Sequence, residues 1–362
     1  MPKRLVYDRP LLITTLGLVT FGLVMVFSAS ALMAAERYQS PYGFVLRQAL
    51  GAGLGLAALV LIMRFDYRRL REPRVVYGLL CLTLFLLLAV LLLDRSHNTH
   101  RWIRFGTLSL QPSELAKPTL VLFLAFYLET RLRQLQEWRT LAPVVLYLGI
   151  VCGMVVTEPD LGTTVALVLI AATMLYVAGL SWRWLGYASV ASLPVLYLLV
   201  FHVAYRRERI LAFLHPWQQA RGAAFQIVQS LIAVGSGGWW GVGLMNSKQK
   251  LFFLPEAHTD FIFAVVGEEF GWVGSTFLVA AFVFFLWRGL RIARRAPDEF
   301  GRLLAIGVTA MIVIQALINF SVVTSLVPNK GIPLPFISYG GSSLIFSLAA
   351  VGVLLNVSQH TG

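Results

Sequence analysis

Charge is scarce in this sequence. Only 13% of the 362 residues are Asp, Glu, Lys or Arg, against about 25% in an ordinary soluble domain. A soluble fold of this composition would have too little polar surface to face water, so the solvent of the chain is largely lipid. Acidic residues are the rarer sign, 17 against 30 basic ones, which leaves a net charge of +13. The basic residues are nearly all Arg in short clusters between apolar runs. That placement is the loop pattern of a membrane protein and not a nucleic-acid surface, so no nucleic acid is expected. Cysteine is almost absent. Cys81 and Cys152 both sit inside apolar runs and read as small buried hydrophobes, neither a disulfide nor a metal site. Long polar stretches and internal repeats are missing too. The first absence argues for one polytopic membrane domain over 1–362, and the second weakens an inverted-repeat transporter.

Apolar residues make up 58% of the chain, and the mean hydropathy is +0.75. A bilayer core needs about 20 apolar residues per helix. The sequence predicts an all-α integral membrane protein of about ten spans, near 11–34, 43–63, 75–93, 113–129, 141–157, 161–180, 184–204, 260–287, 303–326 and 337–357. The first run is too long for a signal-peptide core and fits an uncleaved span. Arg-rich connections alternate with sparser ones. Lys3, Arg4 and Arg9 fall on one side with Arg64, Arg68, Arg69, Arg71, Arg74, Arg131, Arg133, Arg139 and Arg183, and with the cluster from Arg288 to Arg302. The other side holds Arg37, Arg95, Arg101, Arg104 and Lys330. Both termini are therefore expected in the cytoplasm. The longest connection, about 205–259 between spans seven and eight, is expected outside the cell membrane. It contains an apolar stretch, a glycine-rich segment and the aromatic anchors Trp217, Phe225, Trp239 and Trp240, so it suits a surface lying in the interface.

Ionisable residues inside spans are costly and mark functional candidates. Glu114 and Lys117, three apart on one helix face, can pair. They read either as a self-neutralising clamp or as part of a polar cavity. Asp160 either caps the sixth span or faces an outer cavity. The densest cluster runs Leu254-Pro255-Glu256-Ala257-His258-Thr259-Asp260-Phe261, followed by Glu268 and Glu269. On a regular helix Glu268 falls about 80° from Asp260, with Glu269 facing nearly the opposite way, and both lie about 12 Å deeper. The three cannot serve one site. Asp260, at the water boundary, is the general-base candidate, and Glu268 and Glu269 are expected to tie helices or loops together. Arg206, Arg209 and Lys330 would face a phosphate-bearing ligand; on charge alone they read equally as a solvated loop or as contacts to anionic headgroups. Ser338 and Ser342, in the glycine-rich entry to the last span, are candidates for substrate contact.

Several segments carry a family resemblance. They are Gln111-Pro112-Ser113-Glu114-Leu115-Ala116-Lys117, Pro159-Asp160-Leu161-Gly162-Thr163, Gly235-Ser236-Gly237-Gly238, the Asp260 cluster, and Gly331-Ile332-Pro333-Leu334-Pro335-Phe336-Ile337-Ser338-Tyr339-Gly340-Gly341-Ser342-Ser343. In this order they resemble the SEDS family of bacterial shape, elongation, division and sporulation proteins. The resemblance implies a ten-span fold in the bacterial inner membrane and a peptidoglycan glycosyltransferase that polymerises lipid II and releases undecaprenyl pyrophosphate. It also implies a single-span class B penicillin-binding protein as partner, beside membrane lipids. Asp260 matches the family's essential acidic residue, and Glu114 with Lys117 its intramembrane pair. Glu158 departs from the pattern, standing where many members would have Gln. Tyr7-Asp8-Arg9, Asn246-Ser247-Lys248-Gln249-Lys250 and Asn329-Lys330-Gly331 look more like the division type than the elongation type. A divalent cation, Mg or Mn, is an open expectation for neutralising the leaving pyrophosphate. A lipid II flippase is the rival reading.

Overall fold

A computed structural model of the chain describes residues 7–93, 101–105, 108–251 and 253–361. Lys3, Arg4 and Arg95, counted above for orientation, lie outside the described residues. So does the Arg104 side chain. The first five helices are α1 (Arg9–Tyr38), α2 (Gly43–Arg64), α3 (Pro73–Leu93), α4 (Pro112–Glu129) and α5 (Trp138–Thr157). Then come α6 (Leu161–Val177), α7 (Trp182–Phe201), α8 (Ala204–Leu214), α9 (Phe225–Ser236), α10 (Ile262–Arg295), α11 (Glu299–Val323) and α12 (Gly341–Gln359). A two-stranded antiparallel hairpin, β1 (Ile103–Phe105) with β2 (Leu108–Leu110), stands before α4. The sequence reading treats that stretch as plain connection. Its strands are too short to carry an alternating pattern.

Each predicted span has a helix over it. Seven of them (α1, α2, α3, α5, α10, α11 and α12) are long and apolar enough to cross a membrane by length and composition alone. Of the others, α6 has only 17 residues and α4 carries Glu114, Lys117 and Glu129. The predicted outer loop is not plain coil, since it contains α8 and α9. Large side chains on the faces that meet lipid are left bare, as on α7, where Trp182, Tyr187, Leu193 and Tyr197 are exposed. Apolar exposure of this kind is stable only in hydrocarbon.

The centre of the bundle is α11, buried along its length and surrounded by α4, α6, α10 and α12. At one end of the molecule, side chains close the helix termini. Asn356 donates its amide to the carbonyls of Ile62, Met63 and Phe65 and accepts from Tyr67 N, which satisfies the last turn of α2. The Tyr67 hydroxyl donates to Asp298 at 2.5 Å, while Asp298 caps α11 through Gly301 N. Burial opposes ionisation of Asp298. The bonds from Tyr67, Gly301 and Arg68 outweigh it and hold the carboxyl below its ordinary value. Stability from this group is therefore present above the unfolded pKa and lost as pH falls through the lower folded one. Tyr67→Phe, which removes one bond to a charged acceptor, is expected to cost about 1.5–3 kcal/mol. Thermal denaturation in detergent reads it, and an unchanged midpoint would refute the assignment.

One span is not a regular helix. At Gly271 α10 breaks, with φ 66° and ψ −161°. Segment 238–243 inserts its backbone there. Val242 N and Gly243 N donate to the carbonyls of Glu268 and Glu269, and Trp272 N and Val273 N donate to those of Gly238 and Trp239, at 2.8–3.1 Å. Backbone groups that the break would orphan are thus satisfied by a neighbouring chain segment, which membrane depth requires.

Candidate active site

Asp260 precedes the first turn of α10 and lines a cavity of about 780 Å³. Four basic side chains (Arg101, Arg206, Arg209 and Lys330) and three acidic ones (Asp160, Glu256 and Asp260) line its polar end. Apart from Gln226, Ser321 and Asn329, the rest is a mainly apolar trough. Leu161, Val165 and Leu169 recur every fourth residue on α6 and face Leu317, Ile318 and Val322 of α11. Eight residues of helix carry the stripe about 12 Å away from the charged end.

Asp260 is held by what surrounds it. Asn319 of α11 donates to the Asp260 carbonyl at 2.8 Å. Gly331 lies against the carboxyl so closely that an added Cβ would be 2.5 Å from Oδ2. Burial, then the charges of Glu256 and Asp160, push the Asp260 carboxyl up to about 7, against the pull of Arg101 and Arg209. A carboxyl poised near neutrality can take a proton from a hydroxyl and release it again.

Asp160 caps α6, accepting from Thr163 N at 3.0 Å and the Thr163 hydroxyl at 2.9 Å, and also from the Gln111 amide at 3.3 Å. It lines the cavity as well, so the two readings of this residue coexist. Beside it the Arg101 guanidinium donates to the carbonyls of Glu158 and Pro159 at 2.6 and 2.5 Å. Both carboxyl oxygens of Glu158 are buried without a hydrogen-bond partner among the described residues. Burial first, then Asp160, push its carboxyl up to about 9 against the pull of Arg101. Neutral at pH 7, Glu158 is chemically close to the Gln that the family resemblance implies at this position. Lys330 is pushed down by burial and by Arg206, with Asp160 opposing.

Glu114 and Lys117 pair at 2.8 Å and are almost wholly enclosed. Lys117 also donates to Gln315 at 2.5 Å. Neither residue of the pair lines the cavity. Glu268 accepts from Ser247 and from the backbone N–H groups of Lys248 and Gln249, while Glu269 binds Lys250 at 2.7 Å and Ser28 at 2.7–2.8 Å. Both carboxylates pin the segment after the glycine-rich stretch, away from Asp260.

Ser338 and Ser342 do not reach the cavity. Ser338 donates to Thr259 O at 2.6 Å and accepts from Leu334 N at 2.7 Å, and Ser342 donates to Ser109 O at 2.8 Å. Their hydroxyls clamp the loop that bears Asp260 and the hairpin, outside the lining of this cavity. Sequence reasoning passed over Arg101, counted only for orientation, and over the two amides of α11, Gln315 and Asn319. No signal short of the fold brings these groups to Asp260. Among the described residues no three His, Cys, Asp or Glu groups converge to hold a metal. The acidic residues of the cavity make no such cluster by themselves.

The chain matches the FTSW_RODA_SPOVE description, cell cycle protein, over residues 9–362. It is 46% identical over 356 residues to the probable peptidoglycan glycosyltransferase FtsW of Geobacter metallireducens, covering 98% of this chain and 95% of that one. Identity to stage V sporulation protein E of Bacillus subtilis is 43% over 358 residues, with 98% and 97% covered. A solved chain from work on structural coordination of polymerization and crosslinking by a peptidoglycan synthase complex aligns at TM-score 0.81 and 29% identity, over 99% of both chains. The rod shape determining protein RodA of Thermus thermophilus aligns at TM-score 0.73 and 30% identity, again over 99% of each. With the family match running over residues 9–362 and relatives of 43–46% identity covered almost from end to end, the chain belongs to the FtsW/RodA/SpoVE family of multi-pass membrane proteins.

Proposed function

We propose that this chain is a peptidoglycan glycosyltransferase that polymerises lipid II at the outer leaflet of the bacterial inner membrane, with ten spans and both termini cytoplasmic. One observation carries the proposal: a single cavity joins a carboxylate poised near neutrality, four cations and an apolar trough. Asp260 takes the proton of the acceptor sugar's 4-hydroxyl as its oxygen bonds to C1 of the donor. The bond from C1 to the pyrophosphate oxygen breaks, and undecaprenyl pyrophosphate leaves with inversion at C1, parallel to inverting hydrolysis. Arg101, Arg206, Arg209 and Lys330 meet the charge that develops on the leaving group. The α6–α11 trough holds prenyl chain. A divalent cation would arrive bound to the pyrophosphate.

The relatives named FtsW support a division role, with the sporulation relative at comparable identity. The partner is a single-span class B penicillin-binding protein, a reading supported by the aligned synthase complex. A lipid II flippase is less well supported. Transport calls for polar groups at both openings, whereas the charged lining here gathers at one end of the cavity. Reconstituting the chain in liposomes with lipid II, alone and with the partner, separates the two. Glycan strands are expected. Lipid II crossing the bilayer without strands would overturn the reading.

A further inference from the structure

Two amides on α11 have no place in the chemistry above, yet each ends on the strand that walls in Asp260. Gln315 and Asn319 are one turn apart and so share a helix face. The Gln315 Nε2 donates to Pro333 O at 2.8 Å, and its Oε1 accepts from Lys117. Since the ammonium can only donate and the carbonyl only accept, the amide has one possible orientation. Asn319 is similarly determined. Its Nδ2 donates to two carbonyls, Asp260 O and Ile332 O, each at 2.8 Å. Both side chains are almost wholly enclosed, with 1% of their surface exposed.

We propose that Gln315 and Asn319 form a bracket that holds the irregular chain strand 331–333, which belongs to no sheet, against the Asp260 loop and so positions the Asp260 carboxylate for proton transfer. They are positioning residues, since neither touches the cavity. Asn319 ties the loop and the strand to each other through one NH₂ group. Gln315 ties the strand's next carbonyl to the Glu114–Lys117 pair, which is fixed in α4. The intramembrane ion pair thereby acquires a function at a distance: it anchors the far end of the bracket. Just before the two fixed carbonyls, Gly331 is pressed onto the carboxyl, which excludes water from that side. A side chain at 331 would have no room, and a strand free to move outward would let water in.

The inference rests on Asp260 acting as the base, and its test keeps the two ideas separable. Lipid II consumption is measured in liposomes with the partner present, across pH and lipid II density, for the parent, Asn319→Ala, Asn319→Asp and Asp260→Asn. Asn319→Ala removes both donors. Asn319→Asp keeps the shape and guards against a variant that fails to fold, with monodispersity in detergent as the check. The bracket predicts a kcat lower by about 10–100-fold, as expected for an angstrom-scale misplacement, with KM within about threefold. It also predicts that the acid limb of the kcat profile moves down by about one pH unit, because a better-hydrated carboxyl ionises more readily. Unchanged kcat, or a lower kcat with the parental acid limb, overturns the bracket if Asp260→Asn is dead. A fully active Asp260→Asn overturns the base assignment, and the bracket with it.

Discussion

Asp260→Asn is expected to abolish polymerisation while making the folded chain more resistant to heat. A positioned general base contributes about 10²–10⁴-fold to rate, and Asn cannot accept the proton. The thermal gain follows from linkage. With the carboxyl raised from 3.8 to about 7 in the folded state, folding favours the protonated form. Stability from this group is fully present below the unfolded pKa and is lost as pH rises through the folded one. At pH 8 the parent carries a buried charge that the variant lacks, a difference of up to about 4 kcal/mol at 1.36 kcal/mol per unit. At pH 3 the two should melt alike. The parental rate, in turn, should rise with pH through about 7 as the base ionises. Retained strand synthesis would remove Asp260 from the chemistry. A lost activity accompanied by a lower melting temperature at pH 8 would instead point to a structural role.

Gly271→Ala is expected to have the largest effect on stability. The φ of 66° with ψ of −161° belongs to a region open essentially to Gly alone, and a side chain there costs about 1–3 kcal/mol before any contact is considered. Contact makes it worse. An added Cβ would collide with Gly241 N and come within 2.7 Å of the Trp239 carbonyl. These are backbone atoms of the segment that completes the broken helix, so they cannot swing aside. Relief requires parting the four backbone bonds between 238–243 and 268–273, each of which leaves groups unsatisfied at membrane depth. The total exceeds about 4 kcal/mol, the range reserved for a few severe mechanisms. The readout is the yield of monodisperse protein, compared with Gly149→Ala, where an added Cβ meets open space. Equal yields would show that the break is not built around Gly271.

Much of the fold was legible because lipid imposes a strong and simple requirement. Ten apolar runs predicted ten helices, and α3 and α5 begin within three residues of the expected starts. What was not legible depends on irregular backbone or on distant partners. The angular argument separating Asp260 from Glu268 and Glu269 assumed one regular helix. In fact Asp260 stands before α10 begins and Gly271 interrupts α10 beyond both glutamates. No periodicity announces that segment 238–243 will fill such a break. Ser338 and Ser342 looked available because hydroxyls beside glycines are available in most loops. Here backbone groups of the Asp260 loop and the hairpin bind them. Asn319 and Gln315 carry no motif of their own in the sequence. Their importance arises only when residues 331–333, far from α11's own turn, come to lie beside them.

The α6–α11 trough bears on how the protein meets its substrate. On the proposed reading, the charged end and the apolar stripe belong to one cavity, so sugar chemistry proceeds while the prenyl tail stays in hydrocarbon. Drawing that tail into water would cost about 0.8 kcal/mol for each methylene, which for a long polyprenol is prohibitive. The encounter is therefore confined to a plane. Its frequency is set by how many substrate molecules share a given area of leaflet and by how fast they drift sideways. Adding buffer to a vesicle suspension should leave the turnover of each molecule unaltered. Adding inert phospholipid to the same vesicles should slow it.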